Sequence, residues 1–408
     1  MYLDEVLAAQ KRGEAVGITS VCSAHPVVLR QSLEAFKHPL IEATCNQVNQ
    51  FGGYTGMTPA AFVTFLRGLA REQGTDPESI ILGGDHLGPH VWQDEPARNA
   101  MAKARDMIAD YARAGFTKLH LDCSMRLADD PQGYLDPGVA ARRAAEMASV
   151  AEQSCQDPLH YVIGTEVPHP GGVMGAQEGL HVSGVDDTRQ TVDLHQKAFE
   201  ELGLQAAWGR VIAVVVQPGV EFGDDFVVPY VHEAARALSK FIEEQPVIYE
   251  AHSTDYQTPQ ALRELVRDHF AILKVGPALT FAYREGLFAL AMIENECIPV
   301  DRRSNLIQVV ESTMLDSPAY WKDYYKGAEG EQAFKCKFSL SDRVRYYWTF
   351  PRIQGAIETL LANLGEGPLP YTLCSQYLGE AGLTARQALQ WKVNKVLMDY
   401  KRACTPTA

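Results

Sequence analysis

Two histidines of the sequence stand beside acidic residues where short apolar runs end. His86 directly follows Asp85, and His252 lies three residues before Asp255. Neutral imidazole and carboxylate groups together are ligands that suit a divalent transition metal. We therefore interpret His86 and His252 as metal ligands, with histidines that are only hydrogen-bonded as the alternative.

Polar residues also close most of the other apolar runs. They are Asn46, Gln47, Asp122, Glu166, Gln217, Ser253, Thr254 and Lys274. A sheet built only for stability would not end so many consecutive strands in this way, so the set indicates a binding site at one end of the sheet. Taken singly, Asp122 and Asn46 have a second interpretation, because such residues also cap the helix that follows a strand.

Two kinds of loop carry groups that suit a sugar phosphate. The segment 164–172 (GTEVPHPGG) places glycines and prolines after Glu166, which is typical of a shaped active-site loop as well as of an ordinary connection. Its His169 is a further candidate for the metal shell. Ser253 and Thr280 offer hydroxyl groups at predicted helix starts, where backbone N–H groups bind phosphate. Such residues also serve as plain N-caps.

The elements that must position these residues are eight short apolar runs, rich in β-branched residues and separated by helical patterns. The runs are 16–22, 40–45, 79–84, 118–121, 161–165, 210–216, 247–250 and 272–275. Eight such units over about 280 residues predict a (β/α)8 TIM barrel, whose active sites lie at the carboxyl ends of the strands. A doubly wound sheet is the alternative, but no GxGxxG follows the first run and no GxxxxGK[ST] occurs.

Helix signals fill the segments between these runs. Thr258-Pro259, for example, pairs an N-cap with proline at the first helical position. Beyond the eighth unit the strand signals stop, and the sequence is helical and rich in aromatic residues. We predict a barrel domain over residues 1–299 and a helical C-terminal appendage, packed on the barrel, over residues 300–408.

Composition excludes several classes of function. The 51 acidic and 37 basic residues give a net charge of −14, which argues against nucleic acids and acidic membranes as partners. No stretch approaches the ~18 apolar residues of a membrane span, and the N-terminus lacks the apolar core of a signal peptide. The eight cysteines show no CxxC pair and no zinc-finger spacing. We interpret them as reduced thiols in a cytoplasmic protein.

Six segments, spread over nearly the whole chain, resemble one protein family. They are GGDHLGPH (83–90), FTKLHLDCS (116–124), QPGVEF (217–222), YEAHSTDYQT (249–258), FAILKVGPALTFAYREGLFAL (270–290) and SLSDRVRYYW (339–348). In these segments the sequence is similar to the tagatose-bisphosphate aldolase class II accessory-subunit family, formerly labelled tagatose 6-phosphate kinase. Some members of that family are tagatose 6-phosphate 4-epimerases.

More distantly, the same positions resemble class II fructose- and tagatose-bisphosphate aldolases, which are metal-dependent barrels. The resemblance implies that Asp85 transfers protons and that His86 and His252 bind the metal. It also matches Asp122 to the acid of the aldolase IDxS motif and places Ser253 near a phosphate.

One position departs from the aldolase pattern. The third metal histidine of the aldolases, after the sixth strand, is Gln217 here. A neutral amide is a weaker ligand than imidazole, so Glu166, which matches the acid of the aldolase strand-five loop, or His169 would have to complete the metal shell.

The resemblance and the polar strand ends together predict a 4-epimerase, an isomerase that interconverts D-tagatose 6-phosphate and fructose 6-phosphate. C4 of such a sugar carries no acidic proton, and the chain has no dinucleotide fingerprint, so reversible cleavage of the C3–C4 bond is the predicted route. A divalent ion (zinc, manganese, magnesium or similar) held by His86, His252 and Glu166 would stabilise the enediolate. Asp85 or Glu166 would take the C4 hydroxyl proton.

The remaining polar residues are predicted to bind the sugar phosphate. They are Asn46, Gln47, Asp122, Gln217, Ser253, Thr254, Asp255, Lys274 and Thr280. We further predict that Arg343 or Arg345 reaches the 6-phosphate, because a guanidinium group binds phosphate through two hydrogen bonds. The alternative is a helix whose arginines pair with surface acids.

A non-catalytic subunit that stabilises a separate class II tagatose-1,6-bisphosphate aldolase is the alternative function. Replacement of a metal histidine by Gln217 is a change expected in a site that has lost its catalytic function. A kinase is disfavoured, because the sequence has no recognised phosphate-donor motif. The predicted partners are a ketose 6-phosphate and, under the alternative, an aldolase catalytic subunit, and we leave a homo-oligomer open.

Overall fold

The computed structural model describes residues 2–155, 157–165 and 181–406. Eight parallel strands form a closed barrel in chain order. In that order they are Ile18–Val21, Leu40–Thr44, Ile81–Leu87, Lys118–Leu121, His160–Ile163, Val211–Val215, Ile248–Ala251 and Phe270–Val275. The predicted (β/α)8 barrel is confirmed, and each of the eight apolar runs overlaps one strand.

Hydrogen-bonded pairing between the first and last strands closes the barrel. Ile18 pairs with Ile272 and Val21 with Val275. All barrel pairings are parallel, so each strand must return through a crossover on the outside of the barrel. The carboxyl ends of the eight strands therefore lie at one rim. A short antiparallel hairpin, Glu221–Phe222 with Val227–Val228, follows the sixth strand.

Fifteen helices occur in the described part of the chain. They are α1 Tyr2–Lys11, α2 Pro26–Ala35, α3 Pro59–Gln73, α4 Ala97–Arg113, α5 Pro137–Ser154, α6 Val185–Glu201, α7 Gln205–Trp208, α8 His232–Glu243, α9 Pro259–Arg267, α10 Pro277–Cys297, α11 Leu306–Asp316, α12 Glu329–Phe338, α13 Pro351–Leu364, α14 Tyr371–Tyr377 and α15 Ala385–Cys404. As predicted, Thr258 caps α9, because its side chain accepts a hydrogen bond from the Ala261 N–H at 3.2 Å.

The first helix covers the amino-terminal end of the barrel. Leu3 and Val6 of α1 are buried and pack in one cluster with Ile18, Leu40 and Ile81, which begin the first three strands. Burial of such apolar side chains stabilises the fold by about 1.5–3 kcal/mol each. This end is thereby filled with apolar groups, and the polar residues are left to the opposite rim.

The C-terminal helices pack on the outside of the barrel. The Cys404 carbonyl of α15 accepts a hydrogen bond from the Gly17 N–H at 2.9 Å, and Lys401 donates to the Ala35 carbonyl at 2.6 Å. Between α12 and α13, the carboxylate of Asp342 holds the buried guanidinium of Arg284 at 2.8 Å. The division of the chain into domains at residue 299 stays a prediction.

Two further features bear on the predictions from composition. In the ranges that the structure describes, no helix is both long and apolar enough to cross a membrane. All eight cysteines are free thiols in this structure.

Candidate metal centre and cavity at the strand ends

A cavity opens at the rim formed by the carboxyl ends of the strands. It brings together residues from six of the eight strand ends or the loops after them, and two residues of the C-terminal appendage, Arg345 and Tyr346. The predicted site residues that line it are Asn46, Gln47, Asp85, His86, His252, Ser253, Asp255, Lys274 and Arg345. The structure therefore brings these nine residues together around one opening, and their roles stay predictions.

Four side chains can hold a metal ion, and three of them, Asp85, His86 and His252, line this cavity. The candidate ligand atoms of Asp85, His86, His120 and His252 all lie within 4.8 Å of one another. All four residues are buried, and the Nε2 atom of His120 has no hydrogen-bond partner among the described residues. Neutral imidazole and carboxylate are ligands of divalent transition metals, so the donor set fits such an ion.

His120 is the member of this group that the sequence analysis missed. It lies inside the fourth strand, in the run KLHL, where we read an ordinary apolar strand. Side chains alternate between the two faces of a strand. Lys118, His120 and Asp122 therefore share the face that points into the barrel, and this period of two is the signal that would have found His120.

The backbone at His86 is strained. This residue has a φ of 47°, a region that non-glycine residues rarely occupy. The neighbouring loop passes so close that a Cβ atom on Gly88 would lie 1.7 Å from the Asp122 carbonyl oxygen. His86 Nδ1 is hydrogen-bonded to the Asp122 carboxylate at 2.8 Å. Strain of this kind persists where surrounding contacts over-determine a position, as functional sites often do.

The His252 ring is held by the carboxylate of Glu250, which lies two residues earlier in the seventh strand of the barrel. Its Nε2 atom lies 3.0 Å from Glu250 Oε1. Desolvation lowers the pKa of His252 to about 3, although Glu250 opposes this shift. The imidazole of His252 is therefore neutral, which is the form that binds metals.

Lys274, predicted to bind substrate, belongs to a buried network of charges. Its ammonium group lies 2.8 Å from Asp85 Oδ1 and also contacts Glu42. Burial alone would lower the pKa of Lys274, but the carboxylates around it, Asp85 first, raise it well above its usual range. Lys118 lies 2.6 Å from both Glu42 and Glu250, and all three of these side chains are fully buried.

Several predicted binding residues have contacts that do not face the cavity. Asp122 lies behind His86, and the Thr254 hydroxyl donates to the Lys274 carbonyl at 2.5 Å. The side-chain oxygen of Gln217 accepts hydrogen bonds from the N–H groups of Gly219 and Val220, at 2.8 and 3.1 Å. Gln217 thus caps its own turn instead of joining the metal group. Glu166 and His169 lie outside the described residues.

The start of α10, predicted as a phosphate site, is already capped by a carboxylate. Asp255 Oδ1 accepts hydrogen bonds from the Gly276 and Ala278 N–H groups at 3.0 and 2.8 Å. The Thr280 hydroxyl donates to Asp342 at 2.7 Å. The chain's own acids therefore hold the groups that would otherwise contact a phosphate.

The two predicted arginines point in different directions. Arg345 lines the cavity, and its guanidinium lies 3.0 Å from the Tyr346 hydroxyl. The guanidinium of Arg343 lies over the ring of Tyr324, 3.3 Å from its centroid, and donates to the Tyr320 carbonyl. Of the pair, Arg345 is the one placed to contact a ligand in the cavity.

Glu221, beside the cavity, should make stability depend on pH. Desolvation raises the pKa of this buried carboxyl to about 7, and nearby Asp255 adds to the shift. The unfolded chain loses this proton at about pH 4.3. Between these two values the folded state binds more protons than the unfolded state, so this group's contribution to stability falls as pH rises from about 4.5 to 7.

Glu221→Gln is therefore expected to be more stable than the unmodified chain at pH 8, by about 1–3 kcal/mol. The amide stays neutral and keeps an oxygen to accept the Phe222 N–H. Urea denaturation at pH 5 and pH 8 measures the difference. A gap between the two proteins that does not widen from pH 5 to pH 8 would show that the Glu221 carboxyl is not protonated in the folded state.

Comparison with known proteins places the chain in a family. Residues 3–405 match the family model described as D-tagatose-1,6-bisphosphate aldolase subunit GatZ/KbaZ-like. The GatZ aldolase subunits of Salmonella dublin and Klebsiella pneumoniae are each 51% identical to this chain, over 99% of both chains. A crystal structure of a probable tagatose 6 phosphate kinase from Sinorhizobium meliloti is 46% identical, with a TM-score of 0.88, over 95% of this chain and all of that one.

These relatives correct the function predicted from the sequence. The 4-epimerase and its isomerase class are wrong, because the curated relatives are named as subunits of an aldolase. The prediction took the polar strand ends as signs of catalysis. The structure shows that Asp122 and Lys274 are engaged by neighbouring side chains within the barrel, a role that needs no reaction. This protein is a member of the GatZ/KbaZ-like family of D-tagatose-1,6-bisphosphate aldolase subunits.

Proposed function

We propose that this chain is a non-catalytic subunit of a tagatose-1,6-bisphosphate aldolase and stabilises a separate catalytic chain. The observation that carries the proposal is the 51% identity to GatZ subunits over 99% of both chains. The similarity thus extends over nearly the whole length of the two chains compared.

The geometry after the sixth strand supports the non-catalytic role. The resemblance to class II aldolases matches Gln217 to the position of their third metal histidine. Here the Gln217 side chain accepts two backbone hydrogen bonds from its own turn. An aldolase site of the usual composition is therefore not assembled from this part of the chain.

Asp85 supports the same conclusion. The resemblance matches it to the proton-transfer residue of the aldolases. In this chain its Oδ1 atom lies 2.8 Å from the Lys274 ammonium and 3.0 Å from His120 Nδ1. The proposal therefore assigns to Asp85 the role of balancing the Lys274 ammonium and holding the His120 ring, in place of proton transfer.

The cavity residues are assigned a binding role within this proposal. Asn46, Gln47, Ser253 and Arg345 offer amide, hydroxyl and guanidinium groups around one opening. Hydroxyl-rich phosphorylated sugars are bound by groups of these types. We assign to the cavity a sugar phosphate of the aldolase reaction, held without being cleaved.

Complex formation tests the proposal. We expect the chain and a class II tagatose-1,6-bisphosphate aldolase catalytic chain, expressed together, to elute from size-exclusion chromatography as one species. Light scattering should give a mass that includes both chains. Each chain run separately is the control. Elution as two separate species at micromolar concentration would contradict a subunit role.

A further inference from the structure

Three imidazole rings, two of them from residues that line the cavity, form a nearly equilateral triangle. The ring centroids of His86 and His252 are 4.8 Å apart, those of His120 and His252 are 5.0 Å apart, and those of His86 and His120 are 5.1 Å apart. All three residues are buried. The three rings therefore surround one common point.

Each of these rings is held by a different carboxylate on one of its nitrogens. The pairs are His86 Nδ1 with Asp122 at 2.8 Å, His120 Nδ1 with Asp85 at 3.0 Å, and His252 Nε2 with Glu250 at 3.0 Å. A carboxylate accepts the N–H of the ring and so fixes the tautomer and its orientation. Histidines that bind metals in proteins almost always have such a partner.

The opposite nitrogen of each ring then carries the lone pair. His120 Nε2 is buried and has no partner in the described part of the chain. His86 Nε2 has the Asp85 carboxylate at 3.9 Å, beyond hydrogen-bond distance. The His86 backbone N–H also lies 3.2 Å from His120 Nδ1, but the carboxylate of Asp85 is the stronger partner and keeps the proton on that nitrogen.

The size of the triangle matches a tetrahedral metal site. With a Zn–N distance of about 2.0–2.1 Å, a ring centroid lies about 3.2 Å from the ion, so two rings at the tetrahedral angle have centroids about 5.2 Å apart. The three observed separations, 4.8–5.1 Å, are close to that value. Only small ring movements are needed to enclose an ion.

The surrounding charges also call for a cation. Four buried carboxylates, those of Glu42, Asp85, Asp122 and Glu250, face the two ammonium groups of Lys118 and Lys274. The carboxylates of this set therefore outnumber the ammonium groups by two. Because buried carboxylates attract cations, these surroundings favour a divalent cation at the centre of the rings.

We propose that His86, His120 and His252 together bind one divalent transition metal ion of the zinc type, with the third histidine supplied by the fourth strand. Asp85, Asp122 and Glu250 are positioning residues that hold the rings. The fourth coordination position faces the cavity, as in zinc sites that keep one position open. This inference goes beyond the proposed function, because a subunit that stabilises a partner needs no metal.

Metal titration of the isolated chain tests the inference without an aldolase partner. After removal of metals with EDTA, we expect the chain to bind one Co²⁺ per molecule and to show the intense visible absorption of tetrahedral cobalt. His120→Ala should weaken Co²⁺ binding at least tenfold. The matched control is His195→Ala, because His195 is also fully buried with an unpartnered Nε2 atom but lies outside the cluster.

A second measurement covers the case in which His120→Ala does not fold. X-ray absorption at the zinc edge of the unmodified chain should show three imidazole nitrogens at about 2.0 Å. Equal Co²⁺ affinity of His120→Ala and the unmodified chain would overturn the inference. X-ray absorption that shows fewer than three imidazole nitrogens bound to zinc would also overturn it. The same holds if the chain does not bind one metal ion per molecule at micromolar metal.

Discussion

Lys118→Met is expected to lower the free energy of unfolding by about 3–5 kcal/mol. The Lys118 ammonium lies 2.6 Å from both Glu42 and Glu250, and none of the three side chains is exposed. Removing one partner of a buried ion pair leaves a charge in a medium that solvates it poorly. Methionine has a similar length, so little of the effect should come from lost volume.

Urea denaturation followed by the fluorescence of the five tryptophans measures the change. Lys197→Met is the matched control, because the Lys197 side chain is 74% exposed and its pair with Glu201 is 3.9 Å long. Exposed pairs contribute about 0–1 kcal/mol.

The double variant Lys118→Met with Glu250→Gln should be less destabilised than the single variant, since it also removes one unpaired carboxylate. A loss below about 1 kcal/mol for Lys118→Met would mean that the lysine does not neutralise these acids.

The barrel could be predicted because its signals are local and repeated. Each strand is a short apolar run, and eight of them recur between helical patterns over the first two thirds of the chain. Glu42 and Lys118 show where the pattern fails. Both are polar residues within strands of a barrel whose interior is a buried network of charges, and a scan for apolar runs passes over them.

The candidate site could be predicted only where its residues stand at strand ends. Asp85, His86 and His252 do so, and the structure brings them together. His120 lies one position inside the fourth strand, so the same reasoning missed it. To find it, one must note that alternate side chains of the fourth strand point into the barrel. Closure of the barrel then places the His120 ring close to residues of other strands.

The sequence also could not predict in which direction each arginine side chain of a tight turn points. Arg343 and Arg345 lie two residues apart in the 3₁₀ turn Arg343–Tyr346. One guanidinium stacks on Tyr324 and the other lines the cavity. Their local sequence contexts are alike, so only packing against the barrel distinguishes them.

Function was the hardest property to predict, because binding and catalysis use the same residue types. Of the charged residues at the strand ends, Lys274 forms an ion pair with Asp85 inside the barrel, and Asp122 holds the imidazole of His86. Either role preserves polar strand ends, so their presence does not decide between an enzyme and a subunit. Similarity to named aldolase subunits over their full length is the basis on which we propose a subunit.

A large gain in the stability of the catalytic partner is the second major expectation. A chain that binds only the folded form of its partner stabilises it by mass action, and at 100 times the dissociation constant the gain is about 2.7 kcal/mol. That corresponds to roughly a hundredfold smaller unfolded fraction. Loss of activity through unfolding should slow accordingly.

The half-life of aldolase activity tests the central claim most directly. A class II tagatose-1,6-bisphosphate aldolase catalytic chain is held at a temperature that inactivates it within minutes, with excess of this chain or with an equal mass of serum albumin. Cleavage of tagatose 1,6-bisphosphate is then assayed at intervals. We predict a half-life at least tenfold longer with this chain than with albumin, and no cleavage by this chain alone. Equal half-lives, or cleavage by this chain alone, would contradict a non-catalytic stabilising subunit.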